Sequence, residues 1–167
     1  MTAMLQFFGR WLFACSVGLL LGGCASMHSR SGAEPQGDHW QGRLAVTLHS
    51  TPSQAFSANF ELQGNAQAGS LAFYTPIGST AAQLQWDADG AQLLTSGQPQ
   101  RFESLDALTL YTTGTSLPIA NLFDWLHGNE SPAPGWQVDL QGLPNGRLQA
   151  QRLAPQVPAE MKIILDR

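Results

Sequence analysis

Basic residues are scarce in this chain. Its 167 residues include 8 lysines and arginines against 12 aspartates and glutamates, and the formal net charge is −4. The basic residues are scattered and form no cluster. Nucleic-acid binding and electrostatic docking on anionic lipid both depend on clustered positive charge. The sequence therefore predicts neither, and its composition favours a folded, weakly acidic exported protein.

Cysteine is almost absent as well. Only Cys15 and Cys24 occur, both near the amino terminus. No disulfide framework or cysteine metal site is expected in the rest of the chain. The histidines have no carboxylate or cysteine at metal-ligand spacing, and we interpret them as surface residues without a metal or cofactor. These histidines are His28, His39, His49 and His127.

The apolar run at residues 11–21 is shorter than the roughly 20 residues that a membrane-spanning helix needs. It follows Arg10 and precedes small residues, which is the layout of a secretory signal. Leu21-Gly22-Gly23-Cys24 resembles the bacterial lipobox, which is cut before a cysteine that then receives a diacylglyceryl group. We expect removal of residues 1–23 and lipidation of Cys24. An ordinary signal with an incidental cysteine and a buried apolar helix are the alternatives.

The pattern of apolar and polar residues differs between residues 24–38 and residues 39–167. The first stretch contains serine, glycine, proline and polar residues without an apolar period, and it predicts a flexible tether behind the lipidated cysteine. The second is long enough for one domain of ordinary size. Ala25 stands where retention in the inner membrane would call for aspartate, so the lipobox resemblance implies sorting to the outer membrane.

The domain begins with residues that alternate between apolar and polar. This period of two is typical of antiparallel strands with one wet face, and turn residues separate the runs. The inward positions predicted for the first strands are Trp40, Gly42, Leu44, Val46, Leu48, Phe56, Ala58, Phe60, Leu62, Leu71, Phe73, Ala82, Leu84 and Trp86. Strands around Trp136 and Met161 continue the pattern. Many short strands in sequence favour a barrel or a strongly curved sheet.

Two short helices are predicted between these strands. Ser104 can cap the first, which ends near Gly114. Pro118 opens the second, in which Ile119, Leu122, Phe123 and Leu126 recur at helical spacing before Gly128. Both helices are amphipathic and need an apolar partner surface. We expect them to cover the apolar face of the sheet.

Catalytic motifs are missing from the sequence. No Gly-x-Ser-x-Gly nucleophile motif and no glycine-rich phosphate loop occurs. Asp87 and Asp89 flank a hairpin turn, which explains them without acid–base chemistry. We therefore expect a protein that is not an enzyme.

The segment Pro76-Ile77-Gly78 is unusual because the tip of such a turn is normally polar. One interpretation is that Ile77 folds back onto the sheet. The other is that Ile77 protrudes to contact an apolar partner.

Two segments together resemble the LolB family of outer-membrane lipoprotein receptors. One is Pro76-Ile77-Gly78-Ser79-Thr80 between strands, and the other is the helical stretch LPIANLFDWLHG at residues 117–128. The opening Trp40-x-Gly42-Arg43-Leu44, the strand Phe56-x-Ala58-x-Phe60 and the final Lys162-Ile163-Ile164-Leu165-Asp166 also match the family pattern in order.

The resemblance implies a half-open antiparallel β-barrel with helices over an apolar cavity. It implies a monomer, anchored in the outer membrane, that takes lipoproteins from the periplasmic carrier LolA by their acyl chains and inserts them into outer-membrane lipid. In such a protein Ile77, between Pro76 and Gly78, would contact the membrane. The side chains expected to line the acyl cavity are Leu44, Val46, Phe56, Phe60, Phe73, Leu84, Trp86, Leu122, Trp125 and Leu126.

Two other functions fit the same sequence. One is binding of a different apolar ligand, such as free lipid. The other is a structural lipoprotein that serves an outer-membrane assembly machine and has a solid core.

Overall fold

The computed structural model describes residues 37–153 and 157–167. The predicted signal peptide, Cys24 and nearly all of the predicted tether lie outside the described residues. In the described part, no helix is long and apolar enough to cross a membrane.

The described residues form one antiparallel sheet, two α-helices and one short 3-10 helix. Their bounds are β1 Asp38–Leu48, β2 Gln54–Gly64, β3 Gly69–Tyr74, β4 Thr80–Asp87, β5 Gly90–Leu94, β6 Gln100–Phe102, α1 Leu105–Thr113, α2 Ile119–Leu126, β7 Trp136–Asp139, the 3-10 helix Leu143–Asn145, β8 Arg147–Arg152 and β9 Ala159–Leu165. The prediction of a mainly β protein with a few short helices is confirmed.

The strand order across the sheet is β6-β5-β4-β3-β2-β1-β9-β8-β7. The first strand lies inside the sheet, where it pairs with β2 on one side and with β9 on the other. Within residues 37–153 and 157–167, β6 and β7 form the two edges and do not pair, so the sheet is not closed. The strand β1 begins at Asp38, one residue before the predicted domain start at residue 39.

Apolar side chains from neighbouring strands meet on one face, here called the inner face. Leu44 is opposite Ile163 of β9, and Leu71 is opposite both Leu62 of β2 and Leu84 of β4. All five of these side chains are buried. Register is fixed by this pattern, because a slip by one residue would turn every apolar side chain to the wet face. The predicted inward positions of β1, β3 and β4 are confirmed.

Helix α1 begins and ends where the sequence predicts. The Ser104 hydroxyl accepts a hydrogen bond from the amide of Ala107 at 3.2 Å, and the Gly114 amide bonds to the Leu110 carbonyl at 3.0 Å. Gly114 has a φ of 74°, which a residue with a side chain rarely adopts. The helix contacts β5 and β6.

Helix α2 contributes five buried side chains to the core: Ile119, Leu122, Phe123, Trp125 and Leu126. Its end is held by the segment that follows it. The Trp125 indole N–H donates to the Ser131 carbonyl at 2.9 Å, and the Asn121 amide donates to the Pro132 carbonyl at 3.1 Å. The prediction of a second helix after Pro118 is confirmed, and the apolar surface that it needs is the inner face of the sheet.

Candidate functional site

The loop between β3 and β4 has an internally bonded base and an apolar tip. The Thr75 amide donates to the Ser79 carbonyl, and the Gly78 amide donates to the Thr75 carbonyl, both at 2.9 Å. The hydroxyls of Thr75 and Ser79 lie 2.8 Å apart. Gly78 has a φ of 84° and open space where a side chain would be. These bonds fix the loop without any contribution from its tip.

Ile77 at this tip is 91% exposed, and Pro76 and Gly78 beside it are exposed too. The interpretation that Ile77 folds back onto the sheet is therefore wrong. A fully exposed isoleucine contributes nothing to core burial, and burying such a side chain elsewhere is worth about 1.5–3 kcal/mol. The loop is thus available to contact an apolar partner.

The structure brings nine of the ten predicted lining residues together. These nine side chains are buried between the inner face and α2: Leu44, Val46, Phe60, Phe73, Leu84, Trp86, Leu122, Trp125 and Leu126. They form one apolar cluster to which both the sheet and the helix contribute.

Phe56 is the exception, because it is 40% exposed. Its ring packs edge-on against Phe73 at 5.2 Å, and its backbone pairs with Val46 of β1. On the other side β3 pairs with β2 only from Asn59 onward, so Phe56 has no strand neighbour there. Phe56 therefore lies on the same face as Val46 and Phe73, as predicted from the alternation, but it stays partly exposed.

Aromatic rings connect the far end of α2 to the sheet. Phe123 lies 5.7 Å from Trp40 of β1 and 6.1 Å from Trp86 of β4, both in edge-on geometry. The Trp86 indole N–H donates to the Asn65 carbonyl at 3.0 Å, which fixes its ring. Edge-on aromatic pairs contribute about 0.5–1.5 kcal/mol each beyond burial. The two contacts orient α2 across the inner face.

Histidines next to this region have acidic partners that are remote in sequence. His127, just after α2, lies 3.2 Å from the Asp38 carboxylate and packs against the Trp40 ring. His39 lies 2.9 Å from Glu61. Sequence spacing did not reveal these pairs, because the partners are remote from the histidines in the sequence. Among the described residues no group of three or more side chains could hold a metal ion.

Glu61 is the centre of a polar cluster on the opposite, outer face of the sheet. Its carboxylate accepts hydrogen bonds from the Tyr74 hydroxyl at 2.6 Å and the Gln63 amide at 2.5 Å, besides its contact with His39. These contacts, that of Tyr74 first, hold the pKa of the Glu61 carboxyl below its ordinary value. The same bond raises the pKa of Tyr74 to about 12, so the phenol stays a donor at neutral pH.

Glu61→Gln should reduce the free energy of unfolding at neutral pH but not in acid. Because the folded-state pKa of Glu61 is lowered, its contribution is present above the unfolded-state pKa and is lost as pH falls through the folded-state pKa. The side chain is 30% exposed, so the wild-type advantage near pH 7 should be at most about 1 kcal/mol. Urea denaturation of both proteins near pH 7 and below about pH 4 measures it. An equal difference at both pH values would contradict the assignment.

Arg152 is a feature that sequence reasoning missed. It is buried on β8, and burial lowers the pKa of its guanidinium. The guanidinium donates from Nε and Nη2 to the Val157 carbonyl at 3.2 and 2.8 Å. It also lies over the Trp136 ring, 5.6 Å from the centroid, at a distance typical of a cation–π contact. These contacts fix the start and the end of the β8–β9 connection relative to each other.

Fold and site together define a class of protein. Two surfaces distinguish this class. One is the apolar inner face of the sheet, which two helices cover, and the other is a protruding loop with an apolar tip. Such surfaces suit proteins that contact apolar ligands.

Comparison with known proteins identifies the family within this class. The family described as "Outer membrane lipoprotein LolB" matches residues 38–156. The chain belongs to this family.

Relatives from several bacteria are similar over most of the chain. The "Outer-membrane lipoprotein LolB" of Chromobacterium violaceum is 29% identical over 80% of this chain and 76% of its own length. The protein of the same name from Bordetella petrii is 31% identical over 80% and 70%. That of Vibrio cholerae is 30% identical over 74% and 64%.

Membership in the family confirms three sequence-based predictions. The resemblance to this family is correct, and the chain is an outer-membrane lipoprotein. It is a transport component and not an enzyme.

Proposed function

We propose that this protein is anchored by a lipidated Cys24 and receives lipoproteins from the periplasmic carrier LolA. It binds their acyl chains and inserts them into the outer membrane. The observation that carries the proposal is Ile77, 91% exposed on a braced loop of a domain whose inner face is apolar. A purely structural lipoprotein would gain nothing from such a loop tip.

The acyl chains would contact the inner face of the sheet and the buried side of α2. In this account the sheet acts as a half-open barrel, and the cavity forms when α2 moves away from the inner face. The acyl chains then replace α2 as the apolar partner of residues such as Leu44, Phe60 and Leu84, which are buried in the closed arrangement.

The exchange is feasible because burial of the α2 side chains and burial of an acyl chain have similar free energies. The five buried side chains of α2 contribute about 10 kcal/mol of burial. One acyl chain of about 14 methylenes gains about 11 kcal/mol on burial, which matches what α2 gives up.

Delivery requires that the domain reach both the carrier and the bilayer. The serine-, proline- and glycine-containing residues after Cys24 suit a tether that allows this reach. Ile77 would enter the bilayer surface first, because its loop is fixed and its side chain has no other partner. Nothing in this cycle needs a second copy of the chain, so the proposed working form is a monomer.

Transfer of cargo from the carrier tests the proposal. LolA loaded with a labelled, acylated lipoprotein is mixed with the purified protein, and the label is followed by affinity isolation of each partner. We expect the label to move from LolA to this protein. The matched control is the same cargo without its acyl chains, which should not move.

Two outcomes would contradict the proposal. The label could stay on LolA, or acylated and unacylated cargo could move equally. If the label stays on LolA while the isolated protein carries free lipid that mass spectrometry identifies, binding of another apolar ligand is the better account.

A further inference from the structure

The two ends of the sheet differ in charge. One end contains the connections β1–β2, β3–β4, β5–β6 and β8–β9, of which the structure describes residues 49–53, 75–79, 95–99, 153 and 157–158, and β7 also begins there. None of these stretches contains Asp, Glu, Lys or Arg. We call it the uncharged end. The opposite end contains acidic residues at or beside its connections, among them Asp87, Asp89, Glu103 and Asp139.

Several exposed apolar side chains lie at the uncharged end. Ile77 lies there, and so do Leu153 at 51% exposure and Val157 at 48%. Phe56 at the start of β2 lies between them in the sheet order. Other exposed large apolar side chains are Ile164, on the outer face of β9 at 52%, and Leu110 and Tyr111 on α1, at 54% and 63%.

Hydrogen bonds hold Val157 and the following Pro158 in place. The buried Arg152 side chain donates twice to the Val157 carbonyl. The amide of His49, at the end of β1, donates to the Pro158 carbonyl at 2.9 Å. Like Ile77, Val157 is therefore presented by backbone that other groups fix, and Leu153 directly follows β8. A braced backbone lowers the entropy cost of inserting side chains into a partner.

The geometry points to a second bilayer contact formed by Leu153 and Val157, which acts together with Ile77. The inference rests on the proposed function, because it takes Ile77 to contact the membrane. The two contacts are separated by β3, β2, β1 and β9, which is roughly 19 Å along the sheet at about 4.8 Å per strand. One contact would let the domain pivot, whereas two fix which side of the sheet faces the bilayer.

A bilayer fits this end better than a protein partner does. Protein partners are commonly steered and aligned by complementary charge, and the connections of this end carry none. Uncharged loops with a few apolar side chains can enter the headgroup region without the cost of burying charge. The contact should therefore be insensitive to salt and should not require anionic lipid.

Site-specific fluorescence tests the second contact on the full-length lipoprotein in phosphatidylcholine vesicles. A polarity-sensitive dye is attached to a cysteine introduced by Val157→Cys, Ile77→Cys or Ile164→Cys. The wild-type chain measures background labelling, and thermal denaturation confirms that each variant is folded. Spin-labelled lipids then quench dyes that enter the bilayer.

We expect quenching at positions 157 and 77 to exceed that at position 164 by more than about twofold, because interfacial insertion reaches about 5–10 Å. The quenching should be unchanged between about 0.1 M and about 1 M salt, which changes the screening length from about 10 Å to about 3 Å. Quenching at 77 but not at 157 would overturn the second contact and leave the proposed function intact. Quenching at neither position would overturn both the second contact and the membrane role of Ile77 in the proposed function. Strong salt dependence would show that charged groups, and not uncharged loops, make the contact.

Discussion

Ile77→Glu should reduce delivery of cargo into membranes by more than about tenfold and leave cargo uptake unchanged. The bilayer contact of an isoleucine is worth about 2 kcal/mol, and each 1.4 kcal/mol corresponds to a factor of ten. A glutamate loses this contact and adds a charge that the bilayer surface disfavours. Because Ile77 is 91% exposed and its loop is held by Thr75 and Ser79, stability should change by less than about 0.5 kcal/mol.

A liposome insertion assay with preloaded protein measures this effect. Ile164→Glu is the matched control, because it places the same charge on an exposed isoleucine of the outer face. Ile77→Leu keeps an apolar side chain and should deliver cargo normally. Equal insertion by Ile77→Glu and wild type would show that the loop has no part in delivery.

Trp125→Ala should lower the free energy of unfolding by about 3–5 kcal/mol. The side chain is fully buried, and its indole N–H is bonded to the Ser131 carbonyl. Its removal leaves a cavity between α2 and the sheet and an unpaired carbonyl. Since domains of this size are stable by about 5–15 kcal/mol, the loss is a large fraction of the total.

Urea denaturation of wild type, Trp125→Ala and Trp125→Phe measures the loss. The phenylalanine variant keeps an aromatic ring and should lose about 1 kcal/mol with the hydrogen bond, besides a smaller packing term. A loss below about 1 kcal/mol for the alanine variant would mean that α2 does not unfold together with the sheet. That result would contradict the packing described here.

The local chemistry of the chain made much of the fold predictable. Alternation identified the inner faces of β1, β3 and β4, and the Ser104 cap and Pro118 located both helices. Strands β5, β6 and β8 were not predicted from the sequence, and for β6 and β8 the reason is physical. Strand β6 has only three residues, which is too short for a period. Strand β8 has the pattern Arg147-Leu148-Gln149-Ala150-Gln151-Arg152, in which a buried arginine occupies an inward position.

The site was predictable where it depends on single residues and not where it depends on register. An isoleucine at a proline–glycine turn was unusual enough to be noticed in the sequence. In contrast, His39 and Glu61 are 22 residues apart, and they meet only because β1 and β2 pair in one register. The exposure of Phe56 likewise follows from the point at which β3 stops pairing with β2.

The central claim is that cargo acyl chains lie against the inner face of the sheet. A cargo lipoprotein with a photoreactive group within an acyl chain tests it most directly, because irradiation of the complex links the chain to the residues that it contacts. Mass spectrometry should find the links at inner-face and α2 residues such as Leu84, Phe60 and Leu122. Links confined to outer-face residues such as Ile164, or no links to the protein, would contradict the account.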